Sequence, residues 1–290
     1  METVLRSARK TVVISPDRPT VLIGERINPT GKKRLAAALA EGNLDIVRQE
    51  AEAQVDAGAD VLDVNVGAAG VDEVDLLPKA VRLVAETVDV PLCIDSANPA
   101  ALRAALGLYR ELAPNGKPLV NSVNGEPASL DRVLPLVAEF GAAVIGLAMD
   151  EQGIPPTAEG RLAVARRIVE RAEAMGIPRQ DVVIDCLALT VGADSRAGLV
   201  TLDAIRMVRE ELGVNMTLGA SNISFGLPER ETINGVFLAM AILRGVNCPI
   251  VDAAKVRPAI LATDLILGRD DYAMRYLKDY KKRLKAAQAK

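Results

Sequence analysis

Histidine is absent from all 290 residues. Its absence removes the commonest general base, every Ser-His or Cys-His nucleophile, histidine-ligated metals and a protein-derived imidazole ligand for haem or cobalamin. Any chemistry must use carboxylates, amides, lysine, arginine, hydroxyls or a group brought by a partner. Aromatic residues make up only 2% of the chain, so there is little on which to stack nucleic-acid bases. A formal net charge of −3 offers no general attraction to nucleic acid or to an anionic membrane, and neither is expected as a partner. No stretch supplies the roughly 18 charge-free apolar residues that span a bilayer. The start, METVLRSARKTVVISPDRPT, lacks the apolar core and small-residue cleavage site of a secretory signal, so a cytoplasmic location is expected. Cys93, Cys186 and Cys248 are far apart and lie in or beside apolar runs, which favours buried reduced thiols over CxxC redox chemistry or a zinc knuckle. No protein-bound metal is expected.

What is present is a repeated punctuation: an amphipathic helical pattern, a small-residue stop containing Gly, then a short β-branched run. It occurs in QVDAGADVLDVNVG (54–67), EFGAAVIGLAMD (139–150), AMGIPRQDVVIDC (174–186), ELGVNMTLGAS (211–221) and RGVNCPIVDA (244–253). Glycine just past a helix accepts the left-handed cap conformation, and the apolar run suits a strand buried on both faces. With VPLCID (90–95), the run in 113–122 and TVLIG (20–24), eight strands result. Helices are expected at 44–57 capped by Asn43, 73–87, 99–111 capped by Asn98, 130–140 after Ser129, 158–175 after Thr157, 202–212 after Thr201, and 227–245. Two more, 255–267 and 270–288, close the chain. Eight strands alternating with helices are the count that closes a (β/α)8 TIM barrel. We read residues 1–290 as one such domain, with 1–19 an N-terminal extension over the barrel floor and 268–290 a C-terminal helix.

The stretch GERINPTGKK (24–33) superficially resembles a phosphate-gripping glycine loop. That template needs four residues between its glycines and Lys followed by Ser or Thr; here six intervene and Lys32 is followed by Lys33, a pair expected to be solvated. Its place after the first strand puts it instead at the face where barrel active sites form. Polar residues collect at that face: Glu25, Arg26 and Asn28; Asp63 and Asn65; Asp95 and Ser96; Asn121 and Asn124; Asp150; Asp185; Ser221 and Asn222; and Asp252. Helix capping is the alternative reading, but separate caps several residues farther on leave Asp95, Asn121 and Asp185 surplus to it. Carboxylates alternating with amides fit a hard metal poorly, and strand interiors lack a Schiff-base lysine. The mixture suits a flat nitrogen heterocycle such as a pterin, whose 2-amino group and N3–H donate side by side to one carboxylate.

The ordered series GERINPTG, DVLDVNVG, CIDSANP, VNSVNGE, AMDEQGIP, VVIDCLAL and LGASNISFGLPER resembles the pterin-binding methyltransferases over about residues 20–265. That family includes methyltetrahydrofolate:corrinoid/iron-sulfur protein methyltransferases, and the folate-binding region of cobalamin-dependent methionine synthase is similar. The resemblance implies methyl transfer from N5 of methyltetrahydrofolate to a Co(I) corrinoid. Carried over by motif, Asp95, Asn121 and Asp185 look like the trio that holds the pterin, with Asp63 and Asn65 supporting the pocket floor. Asn222 resembles a mobile asparagine that engages N5, Gly219 and Ser221 shape its approach, and Arg230 resembles a basic residue near the aminobenzoate-glutamate tail. A cobalamin-binding DxHxxG loop cannot exist without histidine, so the corrinoid must ride on a separate corrinoid protein. A homodimer is also implied. Dihydropteroate synthase shares the barrel, but its late histidine is missing here and its first loop reads differently. A noncatalytic pterin-binding barrel in a methyl-transfer complex is the remaining alternative.

Overall fold

The structure, a computed structural model, describes residues 1–288, so positions 289 and 290 of the expected C-terminal helix lie outside the described residues. A hairpin of β1 (Thr3–Arg6) and β2 (Thr11–Ile14) precedes the barrel strands β3 (Ile23–Ile27), β4 (Val61–Val64), β5 (Leu92–Asp95), β6 (Leu119–Asn124), β7 (Ala143–Leu147), β8 (Val182–Asp185), β9 (Asn215–Thr217) and β10 (Ile250–Val251). These eight run parallel in the order β10-β3-β4-β5-β6-β7-β8-β9. Ile250 N–H donates to Leu218 O at 3.0 Å, and Asn247 N–H to Met216 O at 3.0 Å, joining β9 to β10 and closing the ring. The architecture is the (β/α)8 TIM barrel.

The helices are α1 (Lys33–Ala40), α2 (Asp45–Asp56), α3 (Glu73–Thr87), α4 (Pro99–Leu112), α5 (Pro127–Phe140), α6 (Ala158–Ala174), α7 (Ala197–Leu212), α8 (Arg230–Arg244), α9 (Ala253–Ile266) and α10 (Met274–Gln288). No described helix is long and apolar enough to cross a membrane. Strand side chains alternate in direction, so each strand serves two cores. Leu62, Leu92, Val120, Val144, Ile184 and Met216 face outward against the helices. Ile23, Val61, Cys93, Leu119, Ile145, Val183 and Cys248 fill the barrel, where Leu5, Val12 and Ile14 of the hairpin join them. Arg6 and Lys117 exchange backbone bonds at 3.0 and 2.9 Å, and Asn215 Nδ2 donates to Thr3 Oγ1 at 2.8 Å. The hairpin thus seals the N-terminal ends of the strands, leaving the opposite mouth open.

Buried Asp264 of α9 ties the same floor together. It accepts from Thr20 N at 2.9 Å and Thr20 Oγ1 at 2.7 Å, and pairs with Arg275 of the C-terminal helix at 3.1 Å. Asp264→Asn keeps the shape but removes charge-assisted acceptors, and is expected to lower unfolding free energy by about 2 kcal/mol in urea titrations.

Several local expectations are corrected. The first barrel strand begins at Ile23, so Gly24 to Ile27 lie inside it, and the segment that follows contains an unexpected helix, α1, Ala/Leu-rich and burying Leu35 and Leu39. Asn98 and Thr157 cap as expected, accepting from Ala100 N at 3.0 Å and Gly160 N at 3.1 Å. Ser129 and Thr201 do not, because α5 and α7 start earlier: Pro127, pre-set for a first helical turn, begins α5, and Thr201 is buried within α7. Leu44, not Asn43, occupies the cap position of α2, although Asn43 Oδ1 still accepts from Asp45 N at 2.9 Å.

Candidate active site at the barrel mouth

The interior alternation explains why the polar residues point inward. Each sits two residues beyond an apolar residue of the barrel core: Glu25 after Ile23, Asp63 after Val61, Asp95 after Cys93, Asn121 after Leu119 and Asp185 after Val183. One turn of the pleat therefore lifts each strand from an apolar floor to a polar rim at the C-terminal face. None of Asp95, Asn121 and Asp185 caps a helix, so they are surplus to capping even though three of the expected caps, Asn43, Ser129 and Thr201, were misplaced.

Asp63 is buried and accepts from Asn121 Nδ2 at 3.1 Å. Burial, reinforced by the neighbouring Asp95 carboxylate, pushes the Asp63 pKa well up, against the hydrogen bonds of Asn121 and the Cys93 thiol. Asp95 is pushed up to about 6, first by burial and also by Glu73, while the Asn65 amide opposes the shift. Two carboxyls this close and this buried oppose each other's ionisation, so each holds its proton more tightly than a free aspartate does. Asn65 Oδ1 also accepts from Gly67 N at 2.7 Å, which orders the turn leaving β4. Asp95 and Asn121 line one cavity of about 290 Å³ with Asn124, Arg132 and Leu147. Asp185 is not on that wall; it pairs in register with Leu147 and lies just beyond it around the rim.

Both oxygens of Asp185 accept backbone bonds, Oδ1 from Leu187 N at 2.7 Å and Oδ2 from Gly219 N at 3.2 Å. Burial pushes its pKa up to about 6 despite these bonds and despite Arg161. Gly219 opens the 3₁₀ turn Ala220–Ser224, and a Cβ placed there would lie 3.6 Å from Asn222 Nδ2. The exposed Asn222 amide thus lies beside the glycine that holds Asp185. Ser221 and Arg230 are brought to the same turn in a different way: Arg230 donates to Ser221 O at 2.8 Å and to Ser224 Oγ at 3.0 Å, clamping the turn.

Other rim residues are engaged elsewhere, Asn124 in its own turn although it shares the cavity wall with Asp95 and Asn121. Asn124 Oδ1 accepts from Glu126 N at 3.0 Å, Asp150 lies beyond β7 with Arg167 at 3.5 Å, and Asp252 lies 3.7 Å from Arg26. Glu25, Arg26, Arg230 and Asp252 line a second cavity of about 280 Å³ on the β3 and β10 side. Lys32 is half-buried there and donates to Asn28 O at 3.0 Å, which corrects the expectation that it is solvated; Lys33 is exposed. The cysteines are free and buried. Two participants escaped the sequence reading. Glu73 accepts from Ser96 Oγ at 2.5 Å behind Asp95. Arg161 lies fully buried behind Asp185, and its signal was a lone charge on the apolar face of a helix that also buries Leu162, Ala165 and Ile168.

Comparison with known proteins agrees with this geometry. Residues 24–252 match the family described as pterin binding enzyme. Methylcorrinoid:tetrahydrofolate methyltransferase of Eubacterium limosum is 32% identical over 90% of this chain and 96% of its own length. Methionine synthase of Mycobacterium leprae is 35% identical over 87% of this chain, a match that takes in only 22% of the larger protein. Dihydropteroate synthase of Yersinia pestis, solved with a sulfonamide drug, superposes with a TM-score of 0.70 at 17% identity, covering 92% of this chain and 99% of that one, which shows the shared fold. With a family match spanning the whole barrel from β3 to β10, this chain belongs to the pterin-binding enzymes.

Proposed function

We propose that this protein is a methyltransferase that moves the methyl group between N5 of a tetrahydrofolate and a corrinoid carried on a separate protein. The observation that carries the reading is the inward rim of Asp95, Asn121 and Asp185 next to an exposed asparagine amide on a clamped turn. In this reading the carboxylates accept from the pterin 2-amino and ring N–H donors, and Asn121, held by Asp63, meets its remaining polar edge. Asp63 and Asn65 support the floor. Gly219 and Ser221 shape the approach to N5, and Arg230 stands near the aminobenzoate-glutamate tail while bracing the turn.

Methyl departure from a tertiary amine is slow unless N5 gains a proton. Asn222 cannot supply that proton, but its side-chain oxygen can stabilise the N5-protonated species while the proton arrives through water. The Eubacterium limosum relative is named for transfer in the opposite sense, from methylcorrinoid to tetrahydrofolate. The same contacts serve both directions by microscopic reversibility, and the relative potentials of donor and acceptor set the flux. The reading takes residues 1–290 as one cytoplasmic catalytic unit working as a homodimer, with a corrinoid protein, such as a corrinoid/iron-sulfur protein, docking over the mouth. Dihydropteroate synthesis is less well supported, because the Yersinia pestis synthase shares the fold at only 17% identity and the chain has no histidine.

The direct experiment mixes the protein with methyltetrahydrofolate and a Co(I) corrinoid. Growth of the methyl-cobalt spectrum supports the reading; folate binding without it would favour a noncatalytic barrel. A pH prediction follows from the carboxyls. A buried carboxyl whose folded pKa is about 6 binds its proton more tightly in the native state than in the unfolded one, near 3.9. Its cost to stability is absent below about pH 4 and grows as pH rises through about 6. Asp185→Asn should therefore lose less stability than the parent between pH 5 and pH 7 in thermal melts. The ligand needs the ionised acceptor, so folate affinity of the parent protein should fall as pH drops below about 6.

A further inference from the structure

Arg161 of α6 is 1% exposed, and no carboxylate lies within salt-bridge distance of it among the described residues. A buried guanidinium without an ion-pair partner is costly unless its donors are placed on good acceptors. Here Nε donates to Pro155 O at 3.0 Å, and Nη1 reaches Cys186 O at 3.0 Å, Leu187 O at 2.8 Å and Thr201 Oγ1 at 2.9 Å. Three of the four acceptors belong to the connection from β8 to α7 or to the helix it enters.

The carbonyl of Cys186 and the N–H of Leu187 belong to the same peptide unit. Its oxygen accepts from Arg161 and its N–H donates to Asp185 Oδ1 at 2.7 Å. A cation on the carbonyl side polarises the peptide and strengthens the hydrogen bond given by its N–H. The second carbonyl held by Arg161 is that of Leu187, a branched residue at φ 62°, in the left-handed region where such side chains are strained. The guanidinium thus braces this backbone conformation, in which the Leu187 N–H donates to the carboxylate.

We propose that Arg161 is a positioning residue that acts through the 186–187 peptide to orient Asp185 and keep it ionised for ligand binding, a role that rests on the folate reading above. Other groups around Asp185 do not take this part. The thiols of Cys186 and Cys248 are held protonated by burial, and the carboxyls of Asp63 and Asp95 stand on β4 and β5 across the barrel. Arg161 is the cation that acts on Asp185, and it opposes the effect of burial.

The test follows the Asp185 carboxyl by ¹³C NMR, assigned with Asp185→Asn, together with 5-methyltetrahydrofolate titrations across pH. Arg161→Gln keeps hydrogen-bonding capacity but removes the charge. It should raise the Asp185 midpoint by about one pH unit and move the acid limit of folate binding upward by the same amount. Arg161→Lys should bring both back toward the parent values. A purely structural arginine would give the opposite pattern: a lower melting temperature and affinity reduced equally at every pH, with the midpoint unmoved, and that result overturns the proposal. If Arg161→Gln does not fold, the parent protein decides the matter. The Arg161 Nε–H and Leu187 amide resonances must then titrate with the Asp185 midpoint, and resonances that stay flat through it overturn the proposal. Failure of the parent to bind 5-methyltetrahydrofolate would sink the folate reading instead, while the NMR midpoints would still report on Arg161.

Discussion

Asp185→Ala will weaken 5-methyltetrahydrofolate binding by about 3 kcal/mol, on the order of a hundredfold, in a fluorescence or calorimetric titration at pH 7.5. The loss has two sources. The ligand's paired N–H donors are left without a charged acceptor, and the Leu187 and Gly219 N–H groups that now end on Asp185 lose their partner. A freed Gly219 also loosens the start of the turn that carries Asn222, so the approach to N5 should become less ordered at the same time. Asp95→Ala should act in the same direction with a smaller effect, because the Asp63 carboxyl remains next to the gap as an acceptor. Affinity unchanged in both variants would mean that the rim does not hold the pterin.

Asn222→Ala will slow single-turnover methyl transfer at saturating folate by about a hundredfold while leaving the folate dissociation constant nearly as it was. Removing one well-placed polar group that acts on developing charge typically costs that much, and the effect belongs in the rate of the chemical step. The variant is a clean one. Asn222 is exposed, its side chain makes no hydrogen bond among the described residues, and the turn around it is braced by Arg230 and by Ser224 Oγ donating to Asn234 at 2.7 Å. Loss of affinity with an unchanged rate would reassign Asn222 to ligand binding. An unchanged rate and affinity would remove it from the mechanism.

The glycine-stopped strand pattern carried the barrel because period-two burial and left-handed caps are local properties. Eight short β-branched runs between helical patterns leave few ways to cover a parallel sheet. The inward direction of Asp63, Asp95, Asn121 and Asp185 was legible for the same reason, since each stands two positions from an apolar core residue. Helix starts were less legible. Ser129 and Thr201 have the side chains of caps, yet their hydroxyls serve Asn124 N and Arg161 instead, and nothing local distinguishes those partners from a helix end. Lys32 looked solvated because its acceptors are the carbonyls of Glu25 and Asn28, which only the fold of the first loop brings together.

By itself the amino-acid order determined the barrel, the face where the polar residues gather, the exclusion of imidazole chemistry and the identity of the rim carboxylates, because each depends on residue type and short-range periodicity. Tertiary structure alone decided which rim residues touch. It joined Asn121 to Asp63, raised the proton affinity of the Asp63–Asp95 pair by burying both, and set Arg161 behind Asp185 from a helix 24 positions earlier in the chain. Hydrogen bonds and desolvation act over a few ångströms in space, and no spacing along the chain encodes which distant segments will meet at that range.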